Sequence, residues 1–168
     1  MTGLERNADV VHLTSYAPLM AHKDAWQWAP DLIWFDNLSS HATVNYYVQK
    51  LFANNRGTDV LKVSSEGHKL IGQREIYATA AIDSGKDEII LKLVNTGTKS
   101  KEVTLNISGS KFKSKAEWIS LDGDDIKAFN SFENPNTIVP AENEVTIKNR
   151  TTIELAPNSV NIIKLKKS

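Results

Sequence analysis

The sequence predicts a mainly β fold, an antiparallel β-sandwich preceded by a short α/β segment, and three observations carry that expectation. From Thr58 onward short runs such as "KEVTLNIS" and "REIYATAAID" alternate apolar and polar residues, the period of two that a half-buried strand imposes. The tracts "DSGKD", "NTGTKS", "SGSK", "LDGDD" and "APNS" separate these runs, and their Gly, Asn, Asp and Ser reverse a chain readily. Before Gly57 the period changes. "VNYYVQKLFANNRG" carries Val44, Tyr47, Val48, Leu51 and Phe52 at the i, i+3, i+4, i+7, i+8 spacing of one helical face.

Taken in chain order, "LERNADVVHL" reads as a short first helix, and Pro18 in "TSYAPLMA" breaks it or lies in an extended run. "DLIWF" follows with four successive apolar residues, Leu32 to Phe35, the signature of an element covered on both faces as in parallel sheets. Ser39, Ser40 or Thr43 caps the helix that begins near Val44, and Gly57 ends it after "NNR". Helix, two extended runs and a helix make the closing piece of an α/β layer, too little to cover a sheet alone. The boundary is expected at Asn55 to Thr58, dividing the chain into residues 1–57 and 58–168.

In the second part Ile76, Ala78, Ala80 and Ile82 share one face, and Val103, Leu105 and Ile107 point inward from another strand. "EIILKLVN", "KAEWISL", "EVTIKN", "TTIEL" and "VNIIKLK" are further strands. Seven or so short strands at this spacing make a sandwich.

At 168 residues the chain suffices for one good core, since such domains bury roughly 70% of the surface their unfolded chains expose. Lys plus Arg equals Asp plus Glu, at 20 each, which argues against nucleic acid or an acidic membrane as a partner. Cysteine is absent, so disulfides, thiolate zinc sites and cysteine nucleophiles are excluded. The residues at the N-terminus form no apolar leader, and no stretch approaches the ~18 apolar residues of a membrane span. Localisation stays open.

Three of the four tryptophans, Trp26, Trp28 and Trp34, fall in "WQWAPDLIWFDN". Aromatic faces suit the apolar side of a sugar ring, and the same residues serve equally as packing against protein outside this chain. Trp118 lies in an alternating strand and reads as core. Glycoside hydrolysis needs two carboxyl groups about 5 to 9.5 Å apart, whereas a strand between Asp31 and Asp36 separates them by roughly 16 Å. Asp31 after Pro30 then reads as a turn residue, and Asp36 as a loop start or helix cap.

The histidines, His12, His22, His41 and His68, lack the i, i+4 pairing of a zinc helix. His12 and His22 with Asp24 are the grouping that could meet in space around a metal; a solvated or hydrogen-bonded role is the simpler expectation. In "DGDDIKAFNSFE", Asp122, Asp124, Asn130 and Glu133 fit positions one, three, nine and twelve of a calcium loop. Ile126 and Lys127 occupy the fifth and sixth, where a ligand and a sharp-turn Gly belong. A turn followed by a packing segment is the better reading. No Gly-rich phosphate loop or nucleophile elbow is present.

The blocks "GLERNADVV", "SYAPLMAH", "WQWAPDLIWFDN", "NYYVQKLFANNRGTDVL", "FNSFENPNTIVP" and "LAPNSVNIIKLK" together resemble the C-terminal region of the α-L-arabinofuranosidases of glycoside hydrolase family 51. Several long blocks in the right order are more specific than one short motif. The resemblance implies a retaining enzyme whose (β/α)8 barrel carries two catalytic Glu, followed by a jelly-roll β-sandwich. Both catalytic Glu precede "GLERNADVV", so no catalytic role falls on any residue here. Residues 1–57 resemble the last barrel segment, with "SYAPLMAH" near its final strand and "NYYVQKLF" as its final helix. Trp26, Trp28 and Trp34 would serve the barrel wall and the rim of the substrate site.

The implied partners are the missing barrel, an arabinose-containing polysaccharide such as arabinan or arabinoxylan, and further copies in an oligomer; no cofactor is implied. Met1 and Thr2 stand directly before the first block, where the family has several hundred residues. The chain is therefore expected to be inactive alone and to expose an apolar patch that favours self-association or a mobile N-terminal segment. The rival expectations are a polysaccharide-binding module and a purely structural or oligomerisation domain.

Overall fold

The computed structural model describes residues 1–123 and 125–168. Asp124, the third position of the calcium count, lies outside the described residues.

The molecule is built on a six-stranded antiparallel sheet in the order β11-β10-β13-β8-β7-β4. These strands are Ala141–Thr146, Phe112–Leu121, Ser159–Lys167, Glu88–Asn95, Ile76–Asp83 and Asp59–Leu61. β8 and β13 pair over eight residues, from Asn95 opposite Ser159 to Glu88 opposite Lys166. β9 (Lys101–Asn106) and β12 (Arg150–Leu155) form a separate antiparallel ribbon, Asn106 opposite Arg150 and Lys101 opposite Leu155. The ribbon turns Val103, Leu105, Ile153 and Leu155 toward Ile76, Ala78, Ile89, Leu93, Ala116, Ile163 and Leu165 of the sheet. This is the antiparallel sandwich that the alternating pattern predicts, and its outer face is held partly by the Thr104 and Thr152 hydroxyls at 2.9 Å.

The opposite face of the large sheet is covered by a helix. α2 (Val44–Asn54) lays Val44, Tyr47, Val48 and Leu51 on Ile90, Ile119, Leu121, Val160 and Ile162. β8 and β13 are thereby buried on both sides, which explains why "EIILKLVN" and "VNIIKLK" read as nearly continuous apolar runs. Thr43 is the cap, its hydroxyl accepting from the Tyr46 N–H at 3.3 Å. The helix ends at Asn55, whose buried amide donates to the Leu51 carbonyl at 2.9 Å. Gly57 has another duty than the expected stop. A Cβ there would lie 2.5 Å from Ala81 Cβ and 2.6 Å from the Ile82 carbonyl oxygen, so glycine lets the chain cross β7 closely.

The first helix, α1 (Thr2–Arg6), is shorter than expected and starts earlier. Asn7 ends it, folding its amide back to the Gly3 carbonyl at 2.7 Å, the local competition that makes Asn and Asp poor helix formers. Arg6 donates to the Ala78 carbonyl at 3.2 Å and lays α1 along β7.

Between the helices stands a small sheet of β1 (Met20–His22), β2 (Ile33–Phe35) and β3 (Ser40–Ala42). β1 runs parallel to β2, and β3 antiparallel. Pro18 lies in the irregular segment between α1 and β1, directly after a bend at Ala17, and interrupts no helix. β3 was not expected, because Ser39 and Ser40 read as caps. β2 also departs from expectation, since its three residues are only half-buried although "DLIWF" has the composition of a fully covered strand. A hairpin of β5 (Ser64–Ser65) and β6 (His68–Lys69) follows β4. Gly67 at its tip has φ +81°, a left-handed conformation that glycine adopts without strain.

Candidate functional site

The loop after β1 carries Trp26 and Trp28, which remain 53% and 61% exposed. Trp34 on β2 meets Trp26 edge to face with ring centroids 5.8 Å apart. His22 and Phe35, opposite each other in the β1–β2 register, pack likewise at 5.2 Å. The structure thus brings Trp26 and Trp34 together and gives Trp28 no aromatic partner among the described residues. Trp118 is packed against the sandwich core, its indole N–H donating to Asn161 Oδ1 at 3.0 Å.

The two carboxylates that flank "DLIWF" have separate structural environments. Asp36 closes the turn into β3, accepting from the Ser39 N–H at 2.8 Å, the Ser39 hydroxyl at 2.9 Å and the Leu38 N–H at 3.1 Å. These bonds, those of Ser39 foremost, with Lys23 nearby, hold its carboxyl at about 2. Asp31, read from the sequence as a turn residue, stands in the irregular segment just before β2 but is turned inward. It is 1% exposed, and its Oδ2 is buried without a hydrogen-bond partner among the described residues.

Asp31 lines a cleft of about 560 Å3 formed by β2, β3, the start of α2 and residues 128–133. Trp34, Phe129 and Phe132 supply its aromatic surface, and His41 and Glu133 its other titratable groups. His41 is buried edge-on against Phe132 at 4.7 Å, and its Nδ1 also lacks a partner. Burial lowers the His41 pKa, opposed by the Glu133 charge and the Asn130 carbonyl. Glu133 is held below its ordinary value first by its own backbone N–H and then by Ser131.

Asn130 holds the far wall in place. Its amide donates to the carbonyls of Ala42 and Ile138, both at 2.9 Å, and its Oδ1 accepts from the Ile138 N–H at 2.8 Å. The side chain counted as a calcium position is therefore committed to backbone groups. His22 Nδ1 accepts from the Asp24 N–H at 3.2 Å. Among the described residues no three His, Asp or Glu side chains are placed to hold a metal ion.

Sequence reasoning missed the contact that ties α1 to the large sheet. Lys92 of β8 is fully buried, pairs with Glu5, and places its Nζ 4.9 Å from the Phe52 ring centroid. Burial lowers the Lys92 pKa, opposed by the bond and charge of Glu5. The available signal was a lone Lys inside "EIILKLVN", which needs a counter-charge once both faces are covered.

A family model described as the alpha-L-arabinofuranosidase C-terminal domain matches residues 1–159. A protein of Aspergillus flavus described as a probable α-L-arabinofuranosidase A is 36% identical over 166 residues, covering 97% of this chain and 25% of that protein. α-L-Arabinofuranosidase 2 of Arabidopsis thaliana is 33% identical over 163 residues, covering 95% and 24%. Among solved structures, an arabinose-bound family 51 α-L-arabinofuranosidase superposes with a TM-score of 0.91 at 29% identity, over 100% of this chain and 26% of its own. The Thermotoga maritima enzyme in its arabinose complex shares the fold, with a TM-score of 0.78 at 21% identity over 95% of this chain and 35% of its own. The chain spans about a quarter of the length of the curated relatives it matches. With residues 1–159 under the family model and the whole fold shared with a family 51 enzyme, the chain belongs to the α-L-arabinofuranosidase C-terminal domain family.

Proposed function

We propose that this chain serves an α-L-arabinofuranosidase that removes terminal α-L-arabinofuranosyl groups from arabinan, arabinoxylan or similar polysaccharides, and that the chain alone does not catalyse the reaction. Residues 1–57 complete the last βα unit of a catalytic barrel, and residues 58–168 are the sandwich that braces it. The single observation that carries this reading is the parallel β1–β2 pair leading through β3 into α2, joined to a sandwich and matched to only a quarter of each relative. In this arrangement Trp26, Trp28 and Trp34 face the barrel and the rim of its substrate site. The partners are the catalytic barrel, its polysaccharide and further copies of the enzyme.

The test is release of nitrophenol from 4-nitrophenyl α-L-arabinofuranoside by the purified chain, beside an intact family enzyme. Release by the control alone is expected. Turnover that copurifies with the chain would contradict the proposal.

The exposure of Trp26 and Trp28 favours a second reading, a module that holds polysaccharide through those rings. Retardation in arabinan or arabinoxylan gels that disappears in Trp26→Ser and Trp28→Ser would support it. Unchanged mobility would remove it.

A further inference from the structure

We infer that the cleft between β2–β3 and residues 128–133 is a socket for an arginine side chain presented by the catalytic portion of the enzyme, with Asp31 and His41 accepting its N–H groups and Trp34 and Phe129 flanking its flat face. The inference rests on the proposed function for the source of the arginine, but its chemistry is read from this chain.

Asp31 Oδ2 and His41 Nδ1 both belong to residues lining one cleft, and both are buried without a partner among the described residues. In the neutral Nε2–H tautomer the unpartnered Nδ1 is an acceptor. Two orphaned acceptors call for a group with several donors and no acceptor, and guanidinium has five donors in a rigid fork. The charge agrees. Asp31 and Glu133 line the cleft and no Lys or Arg does, while nearby Lys23 is paired with Asp36. Phe129 is 70% exposed at the cleft edge, a surface suited to stacking a planar cation. A lysine ammonium is a compact point charge and cannot bond two acceptors while stacking flat on a ring. A neutral sugar could use the rings but would leave the buried Asp31 carboxylate without a counter-charge.

The experiment is titration of the 15N-labelled chain with Nα-acetyl-L-arginine amide, with Nα-acetyl-L-lysine amide and L-arabinose in parallel. The arginine probe is expected to shift the Trp34 indole, Asn130 side-chain amide and His41 signals with saturation in the millimolar range. The lysine probe should bind several-fold more weakly, and arabinose should leave these signals in place. Asp31→Asn should weaken arginine binding about tenfold. Phe129→Ala, at an exposed position that cannot compromise folding, should weaken it about threefold.

No saturable shift with the native chain, or equal binding by native chain and Phe129→Ala, would overturn the assignment. Shifts with arabinose instead would make the cleft a saccharide site. Shifts that grow on concentrating the chain without probe would assign the socket to a second copy. Because the titration involves no substrate turnover, its failure is distinguishable from failure of the nitrophenol assay.

Discussion

The large sheet and the small sheet meet the same physical demand with opposite results. In the six-stranded sheet, β8 and β13 are covered on one side by the β9–β12 ribbon and on the other by α2, and Ile162, Ile163 and Leu165 are completely buried. In the small sheet β2 is as apolar as β8, yet its residues are half-buried, and Leu19, Met20, Trp26, Trp28 and Leu38 around it are exposed, Leu38 to 98%. Composition alone does not distinguish the two. The difference lies in what each has been given to pack against: the large sheet finds its cover within this chain, whereas the apolar surface of the small sheet is, on our account, completed by protein outside it.

The largest effect that would sharpen this contrast is in the doubly covered sheet. Leu165→Ala should cost about 2–5 kcal/mol, read as a lowered urea midpoint with unchanged slope. Glu5→Ala comes close behind, because it leaves the Lys92 ammonium buried without its counter-charge, at about 3–5 kcal/mol. The double change Glu5→Leu with Lys92→Met should recover most of that loss, and failure to recover would show that the pair has a role beyond mutual neutralisation. Asn130→Ala removes one bond to the end of β3, at Ala42, and two to the Ile138 backbone, and should cost about 1–3 kcal/mol.

Acidification gives a smaller and diagnostic change. The His41 pKa is lowered by burial from its ordinary 6.5, so the unfolded state takes up its proton first as pH falls. Stability is therefore undiminished above pH 6.5 and declines through the window below it, down to the lowered pKa, after which the loss is complete. Tm measured from pH 7.5 to 5 should fall less steeply in His41→Gln. The smallest effect belongs to the exposed rim, where Trp26→Ser with Trp28→Ser should change stability by less than about 0.5 kcal/mol while reducing self-association in sedimentation. A large loss of stability would mean that these rings are already packed in the isolated chain.

The sandwich was legible because alternation is a local property: "KEVTLNIS" can only turn Val103 and Leu105 inward together, and in the structure both pack, partly buried, against the core. The apolar face of α2 was legible for the same reason, whereas its cap was narrowed only to Ser39, Ser40 or Thr43, of which the structure uses Thr43. What escaped depends on contacts remote in sequence. Gly57 looked like a helix stop because nothing nearby reveals the close crossing of β7. Ser40 looked like a cap because β3 exists only by pairing with β2. At the candidate site, the tryptophan cluster was visible in the sequence, but the cleft was not. Asp31, His41 and Phe129 are brought together by the packing of residues 128–133 on the small sheet, held by Asn130, eighty-eight positions from its Ala42 acceptor.

Hydrogen exchange of the isolated chain, read amide by amide, tests the central contrast most directly. Ile90, Leu91, Ile162 and Ile163 should exchange only through global unfolding, while the amides of Ile33 to Phe35 and Ser40 to Ala42 should exchange at least about a hundredfold faster through local opening. Equal protection of the two sheets would contradict it, because the small sheet would then be complete without a partner.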